Sequence, residues 1–191
     1  MKYVKMAFKI FICNIVLLIK KFSGKRINYS IINFVNPKSV LKTKDKFSVI
    51  QIGKKVSICA NTEISASEQG QIKIGNSCFI NRNCMIVSHQ KIEIGEGTTI
   101  GPNCCIYDHD HNYKGNTSNK FLSDSITIGC NVWIGAGAII LKGSKIGSGS
   151  VIGAGTLING EIPENSLVYT ERNNVVRKIQ SRHEEKVVSN V

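Results

Sequence analysis

Isoleucine recurs at every sixth residue from Ile128 through Ile134, Ile140, Ile146 and Ile152 to Ile158. The same step joins Ile52, Ile58 and Ile64, then Ile74, Ile80 and Ile86, then Ile94, Ile100 and Ile106. The phase slips by four residues after Ile64 and by two after Ile86, as short loops would make it do. A period of six is neither the 3.6 of a helix nor the alternation of a simple strand. It is the mark of a parallel β-helix built from hexapeptides. Each hexapeptide makes a short strand and a turn, and three of them close one triangular coil. Glycine often follows the isoleucine, as at Gly53, Gly75, Gly95, Gly101, Gly129, Gly135, Gly147 and Gly153. Four residues after it stand small or thin side chains, among them Thr62, Cys78, Cys84, Thr98, Cys104 and Ser144. Both positions are expected to point inward, with the cysteines serving as small hydrophobes. Five coils fit between Ile52 and Pro163.

The remaining chemistry is sparse. Seven cysteines, an odd number without a C-x-x-C pair, indicate neither a disulfide framework nor a zinc knuckle and fit a reducing cytoplasm. Of the net charge of +12, residues 1–50 carry +10, from eleven Lys/Arg against Asp45. The basic character thus belongs to an N-terminal arm and not to the repeat, which argues against nucleic acid as a partner. Within the arm, the apolar run Ile10–Ile19 is broken only by Asn14. Ten residues do not span a bilayer, which needs ~20. Lys20 and Lys21 follow the run, and no A-x-A-like site does, so a signal peptide is not favoured. A short helix that lies on a membrane through residues 1–26, packs on a neighbouring subunit or caps the β-helix is expected.

One stretch breaks the rhythm. Between Ile106 and Ile128 stands an excursion that opens IYDHDHNY, with His109, His111, Tyr113 and the two aspartates Asp108 and Asp110. Long excursions from a compact repeat are usually functional. A neutral imidazole can take a proton from an attacking hydroxyl, and either aspartate could hold it in the right tautomer. A solvated loop charge is the plainer reading of both aspartates. Cys105, just before the loop, is either an outward strand cysteine or a thiolate nucleophile.

The segment VWIGAGAIILKGSKIGSGSVIGAGTLI, and the chain from about residue 51 to 178, resembles the hexapeptide-repeat acyltransferases, in particular the sugar and polysaccharide O-acetyltransferases. The resemblance implies an all-β, left-handed parallel β-helix of about five coils with N-terminal and short C-terminal helices. It divides the chain into an arm (1–50), the β-helix (51–169, active-site loop 107–127) and a C-terminal tail or helix (170–191). It implies acetyl-CoA as donor, no metal, and a homotrimer with active sites between subunits. IYDHDHNY resembles the family's IYxxxHP stretch, which puts the catalytic histidine on His111, with His109 as its neighbour. Counting back from Trp133 puts it on His109 instead. Asn81 in INRNCMIV, Asp108, Asp110, Tyr113 and Trp133 are then acceptor-side candidates. Trp133 and Ala136 in VWIGAG, Ala154 and Asn159 in IGAGTLINGEIP, and the basic pair Arg177 and Lys178 are cofactor-side candidates. The family's basic residue is absent at Gly160, and Asn174 replaces another. The implied activity is transfer of acetyl to a sugar hydroxyl of a cell-envelope polysaccharide, in the cytoplasm or on the inner face of the membrane. Alternatives are a nucleotide-sugar N-acetyltransferase, an antibiotic acetyltransferase, a non-catalytic scaffold, or a γ-carbonic-anhydrase-like zinc enzyme using His89, His109 and His111.

Overall fold

The structure, a computed structural model, describes residues 11, 12, 15, 26–30, 32–113 and 120–171. Three parallel sheets form the faces of a triangular prism. The first stacks seven strands, from Ile27–Tyr29 to Glu161–Ile162. The second stacks seven, from Phe34–Val35 to Leu167–Val168. The third stacks six, from Val40–Thr43 to Leu157–Ile158. The chain visits the faces in turn, so every neighbour in a sheet comes from the adjacent coil.

The isoleucines that repeat along the chain also stack across it. On the second face Ile58, Ile80, Ile100, Ile134 and Ile152 are direct partners. On the third face the column is Ile64, Ile86, Ile106, Ile140 and Ile158. These side chains are buried almost completely. Each contributes ~1.5–3 kcal/mol by leaving water. The small residues four positions on do more than fill space. The Cys78, Cys84 and Cys104 thiols donate to the carbonyls of Gly95, Gly101 and Gly135, each at 3.1 Å. The Thr98 hydroxyl donates to the Gly129 carbonyl at 2.8 Å. These groups satisfy buried carbonyls of the next coil. Glycine after isoleucine is explained by close stacking, since a Cβ on Gly135 would lie 2.6 Å from the Ala154 amide nitrogen. The corners need left-handed backbone, which Asn103 (φ 60°) and Gly137 (φ 69°) supply in successive coils.

One expectation changes. The prism has about six turns rather than five, because a coil precedes Ile52 inside the stretch expected to be an arm. Tyr29, Val35 and Leu41 keep the step of six and pair with Ile52, Ile58 and Ile64. A count of isoleucine alone passes over them. The expected terminal helices fall on residues that lie almost wholly outside the described ones. Phe11, Ile12 and Ile15 have helical backbone and are exposed; residues 172–191 are outside.

All the phase slips fall on one corner, between the third and first faces. There Thr43 joins Val49, Ala66 joins Gln71, Ser88 joins Lys91, and Tyr107 leads out to the loop that returns at Ile126.

Candidate active site

This corner gathers the histidines by register. Thr43, Ala66 and Ser88 are stacked partners at the end of the third face. In the next coil the last pair is Tyr107 with Val87, and Asp108 follows above Ser88. Asp108 is fully buried. Its carboxylate accepts hydrogen bonds from the Ser88 hydroxyl (2.7 Å), the amides of His89 (2.8 Å) and Gln90 (2.9 Å), and His109 Nδ1 (3.0 Å). Four donors on two oxygens satisfy a buried carboxylate and fix its orientation. Asp108 is therefore neither a solvated loop charge nor free to meet a substrate.

The chain then leaves the prism as a hairpin. His109–His111 runs antiparallel to Phe121–Ser123, with His109 opposite Ser123 and His111 opposite Phe121. Asp108 also closes its base, its carbonyl accepting from the Asp124 amide at 2.8 Å. Strand alternation sends His109 and His111 to one side and Asp110 to the other. Asp110 meets Lys142 of the following coil at 3.4 Å. The His109 side chain is 12% exposed, while His111 is open to solvent. With Nδ1 donating to Asp108, a neutral His109 has its lone pair on Nε2, the arrangement of a general base.

Two further residues complete the cluster: His89, which sequence reasoning set beside His109 and His111 only as a zinc ligand, and Phe121, which it did not single out. The His89 ring stacks on His109 with centroids 3.5 Å apart and planes 6° apart. Phe121 stands edge-on to both, at 4.3 Å and 5.4 Å, and lies 4.9 Å from His111. The signal for His89 was available: continuing the Val87–Tyr107 pairing two residues puts His89 against His109. Parallel rings send their lone pairs side by side rather than toward one ion. Among the described residues, no group of three or more His, Cys, Asp and Glu is arranged to hold a metal.

The other candidates lie elsewhere on the prism. Trp133 is 56% exposed on the second face, between Thr99 and Val151. Asn81, Ala136 and Ala154 follow second-face strands, at the corner with the third face. Asn81 is engaged in its own turn, its Oδ1 accepting from the Arg82 amide at 2.8 Å. Asn159 follows Leu157–Ile158 and so sits at the histidine corner, two coils beyond Tyr107. Tyr113 is exposed beside the hairpin tip. Cys105 is outward and half-buried between Met85 and Ile139. Arg177 and Lys178 lie outside the described residues. One chain thus unites His89, Asp108, His109, His111 and Phe121, and leaves Asn81, Trp133, Ala136 and Ala154 on other edges.

Residues 125–160 match the family model of the bacterial transferase hexapeptide (six repeats). No curated protein compared matches the chain. Among solved structures, the chain resembles AntD, an N-acyltransferase from Bacillus cereus, in complex with dTDP and 3-hydroxybutyryl-CoA. The TM-score is 0.67 at 20% identity, over 85% of this chain and 86% of AntD. It also resembles the hexapeptide-repeat acetyltransferase VCA0836 from Vibrio cholerae complexed with acetyl-CoA. There the TM-score is 0.55 at 26% identity, over 70% and 72% of the two chains. A third likeness is PerB from Caulobacter crescentus in complex with CoA and GDP-perosamine, with a TM-score of 0.54 at 19% identity over 73% and 54%. The chain is a left-handed parallel β-helix of hexapeptide repeats, with the architecture of the hexapeptide-repeat acyltransferases. The match to the bacterial transferase hexapeptide begins directly after the histidine hairpin.

Proposed function

We propose that this chain transfers acetyl from acetyl-CoA to a hydroxyl of a sugar in a cell-envelope polysaccharide, with His109 as the general base. The observation that carries this reading is the buried Asp108–His109 pair at the root of the hairpin. In the reaction the acceptor hydroxyl attacks the thioester carbonyl as His109 Nε2 removes its proton. The imidazolium so formed is stabilised by Asp108. The tetrahedral intermediate then expels the coenzyme A thiolate, which recovers the proton from His109. Backbone amides at strand ends are suited to hold the oxyanion. This places the base two residues before His111, in agreement with the count from Trp133.

The distribution of candidates supports a homotrimer. Outward residues of the first face are mostly polar or charged, among them Gln51, Lys73, Glu93, Lys145 and Glu161. The second and third faces expose Phe79, Trp133 and Leu167, and Met85, Ile139 and Leu157. Packing such faces between copies would bring the Trp133 and Ala136 edge of one subunit to the histidine corner of another. The donor and the basic N-terminal segment suit a cytoplasmic enzyme that touches the inner membrane surface through residues 1–26. No helix among the described residues is long and apolar enough to cross a membrane.

Nucleotide-linked amino sugars form a second acceptor class, favoured by the complex of an AntD variant with dTDP-4-amino-4,6-dideoxyglucose and coenzyme A and by that of PerB with GDP-perosamine. A carboxylate-braced imidazole is needed more by a hydroxyl than by an amine, which is the stronger nucleophile. Offering the enzyme acetyl-CoA with matched hydroxy- and amino-sugars, and weighing the products by mass spectrometry, separates the two. Absence of transfer to every hydroxyl acceptor alongside turnover of an amino sugar would replace the first reading by the second.

A further inference from the structure

Of the two imidazoles at this corner that the proposed chemistry leaves unused, His89 is the one stacked on His109. It is held from two sides. Its amide donates to Asp108 Oδ1 at 2.8 Å, the same oxygen that receives His109 Nδ1 at 3.0 Å. Its ring lies flat on His109, and Phe121 closes the edge of both. A single hydrogen bond at Nδ1 leaves the His109 ring able to swing about that bond, because the terminal torsion of an imidazole is broad. A second, planar contact removes that freedom, and among the described residues only His89 provides one parallel to the ring.

We propose that His89 is a positioning residue: a neutral imidazole that fixes the plane of His109, aims its Nε2 at the acceptor, and leaves His109 as the ring of the pair that takes up the proton. This rests on the reading of His109 as the base. Neutrality follows from the surroundings. His89 Nδ1 is shut away from solvent without a hydrogen-bond partner among the described residues, so a proton there would be an unmatched buried donor. Burial pushes the His89 pKa down, and the neighbouring His109 pushes it the same way. Asp108 and Glu68 oppose this, and Lys44 adds to it. A neutral ring presents its π face to the charge that His109 acquires in the reaction, an attraction that a second imidazolium would turn into repulsion.

The full-length protein carrying His89→Ala, His89→Phe or His109→Phe tests this by acetyl-transfer kinetics across pH, thermal unfolding, and NMR titration of the imidazole rings. His89→Ala should lower kcat ~10–100-fold with the acetyl-CoA KM unchanged, since the base is misaimed and the cofactor site untouched. His89→Phe restores a flat ring and should recover most of that loss. In the His109→Phe variant, the His89 titration should move to higher pH, because its charged neighbour is gone. A His89→Ala enzyme with wild-type kcat and pH profile overturns the proposal. So does a folded His89→Phe enzyme no faster than His89→Ala, or a His89 titration indifferent to His109→Phe. An active His109→Phe enzyme fails in a different way: it removes the base itself, and with it any role for the stack.

Discussion

Asp108→Asn changes one atom and puts the whole arrangement to the test. The native carboxylate accepts on both oxygens: Oδ1 from the His89 amide and His109 Nδ1, Oδ2 from the Ser88 hydroxyl and the Gln90 amide. An amide group can accept on one side only. With its oxygen toward His109, its NH2 faces the Gln90 amide, and two donors confront each other in a fully buried place. With the amide reversed, its NH2 faces the His89 amide and His109 Nδ1. His109 must then place its proton on Nε2, which is the wrong tautomer for a base. Either way a buried donor goes unmatched, at a cost of ~1–3 kcal/mol in stability. The imidazolium also loses its counter-charge. The expected result is a protein that folds, unfolds at lower denaturant, binds acetyl-CoA as before by calorimetry, and transfers acetyl ~10²–10⁴-fold more slowly. A variant within threefold of wild-type kcat would refute the dyad, since neither amide orientation preserves it.

Further outcomes follow from the same geometry. His109→Ala should abolish transfer while His111→Ala, on the same side of the hairpin but farther out and open to solvent, keeps more activity; steady-state kinetics showing the reverse would restore the alignment on His111. On the third face, Ile139→Glu puts a charge into the apolar patch with Met85 and Leu157, and sedimentation should show smaller species with reduced activity. Deleting residues 1–26 should remove salt-sensitive binding to anionic liposomes, each basic residue contributing ~1 kcal/mol near the surface, and should leave the β-sheet circular dichroism intact. The Asp45 carboxyl is held down to about 2, chiefly by the Ser48 hydroxyl, with the amides of Phe47 and Ser48 assisting. Its folded pKa is depressed, so its stabilisation is present above the ordinary carboxylate range and lost as pH falls toward 2. Acid titration of Asp45→Asn should show a smaller loss over that window.

The scaffold was legible in the sequence because a solenoid turns a linear period into a spatial column. Ile58 stacks on Ile80 for the same reason that both head hexapeptides, and no long-range pairing needs to be guessed. The missed first coil shows the limit of reading one residue type: Tyr29, Val35 and Leu41 hold the period with other apolar side chains. Cys78, Cys84 and Cys104 were legible as small core residues but not as donors, since a thiol's partner is a carbonyl one coil away. The histidine excursion was legible as an interruption. Which imidazole is braced was not, because that depends on where Asp108 stops following the third face. One position earlier Tyr107 is still in register; one later His109 is already in the hairpin.

That boundary also explains why the site stands at this corner. Successive coils add residues there without disturbing the other two faces, so the corner can vary while the prism stays rigid. Ala66, Ser88 and Asp108 occupy equivalent places in three consecutive coils, and polarity rises along the series. In the middle coil the short return at Ser88–Lys91 turns the His89 and Gln90 amides toward the next coil, where nothing in a regular repeat would meet them. Asp108 meets both, and by accepting them it becomes the anchor for His109. The donors that hold Asp108 against the proposed base are thus supplied by the preceding coil, and a one-residue slip between the two coils would turn Asp108 out of the core and dismantle the pair.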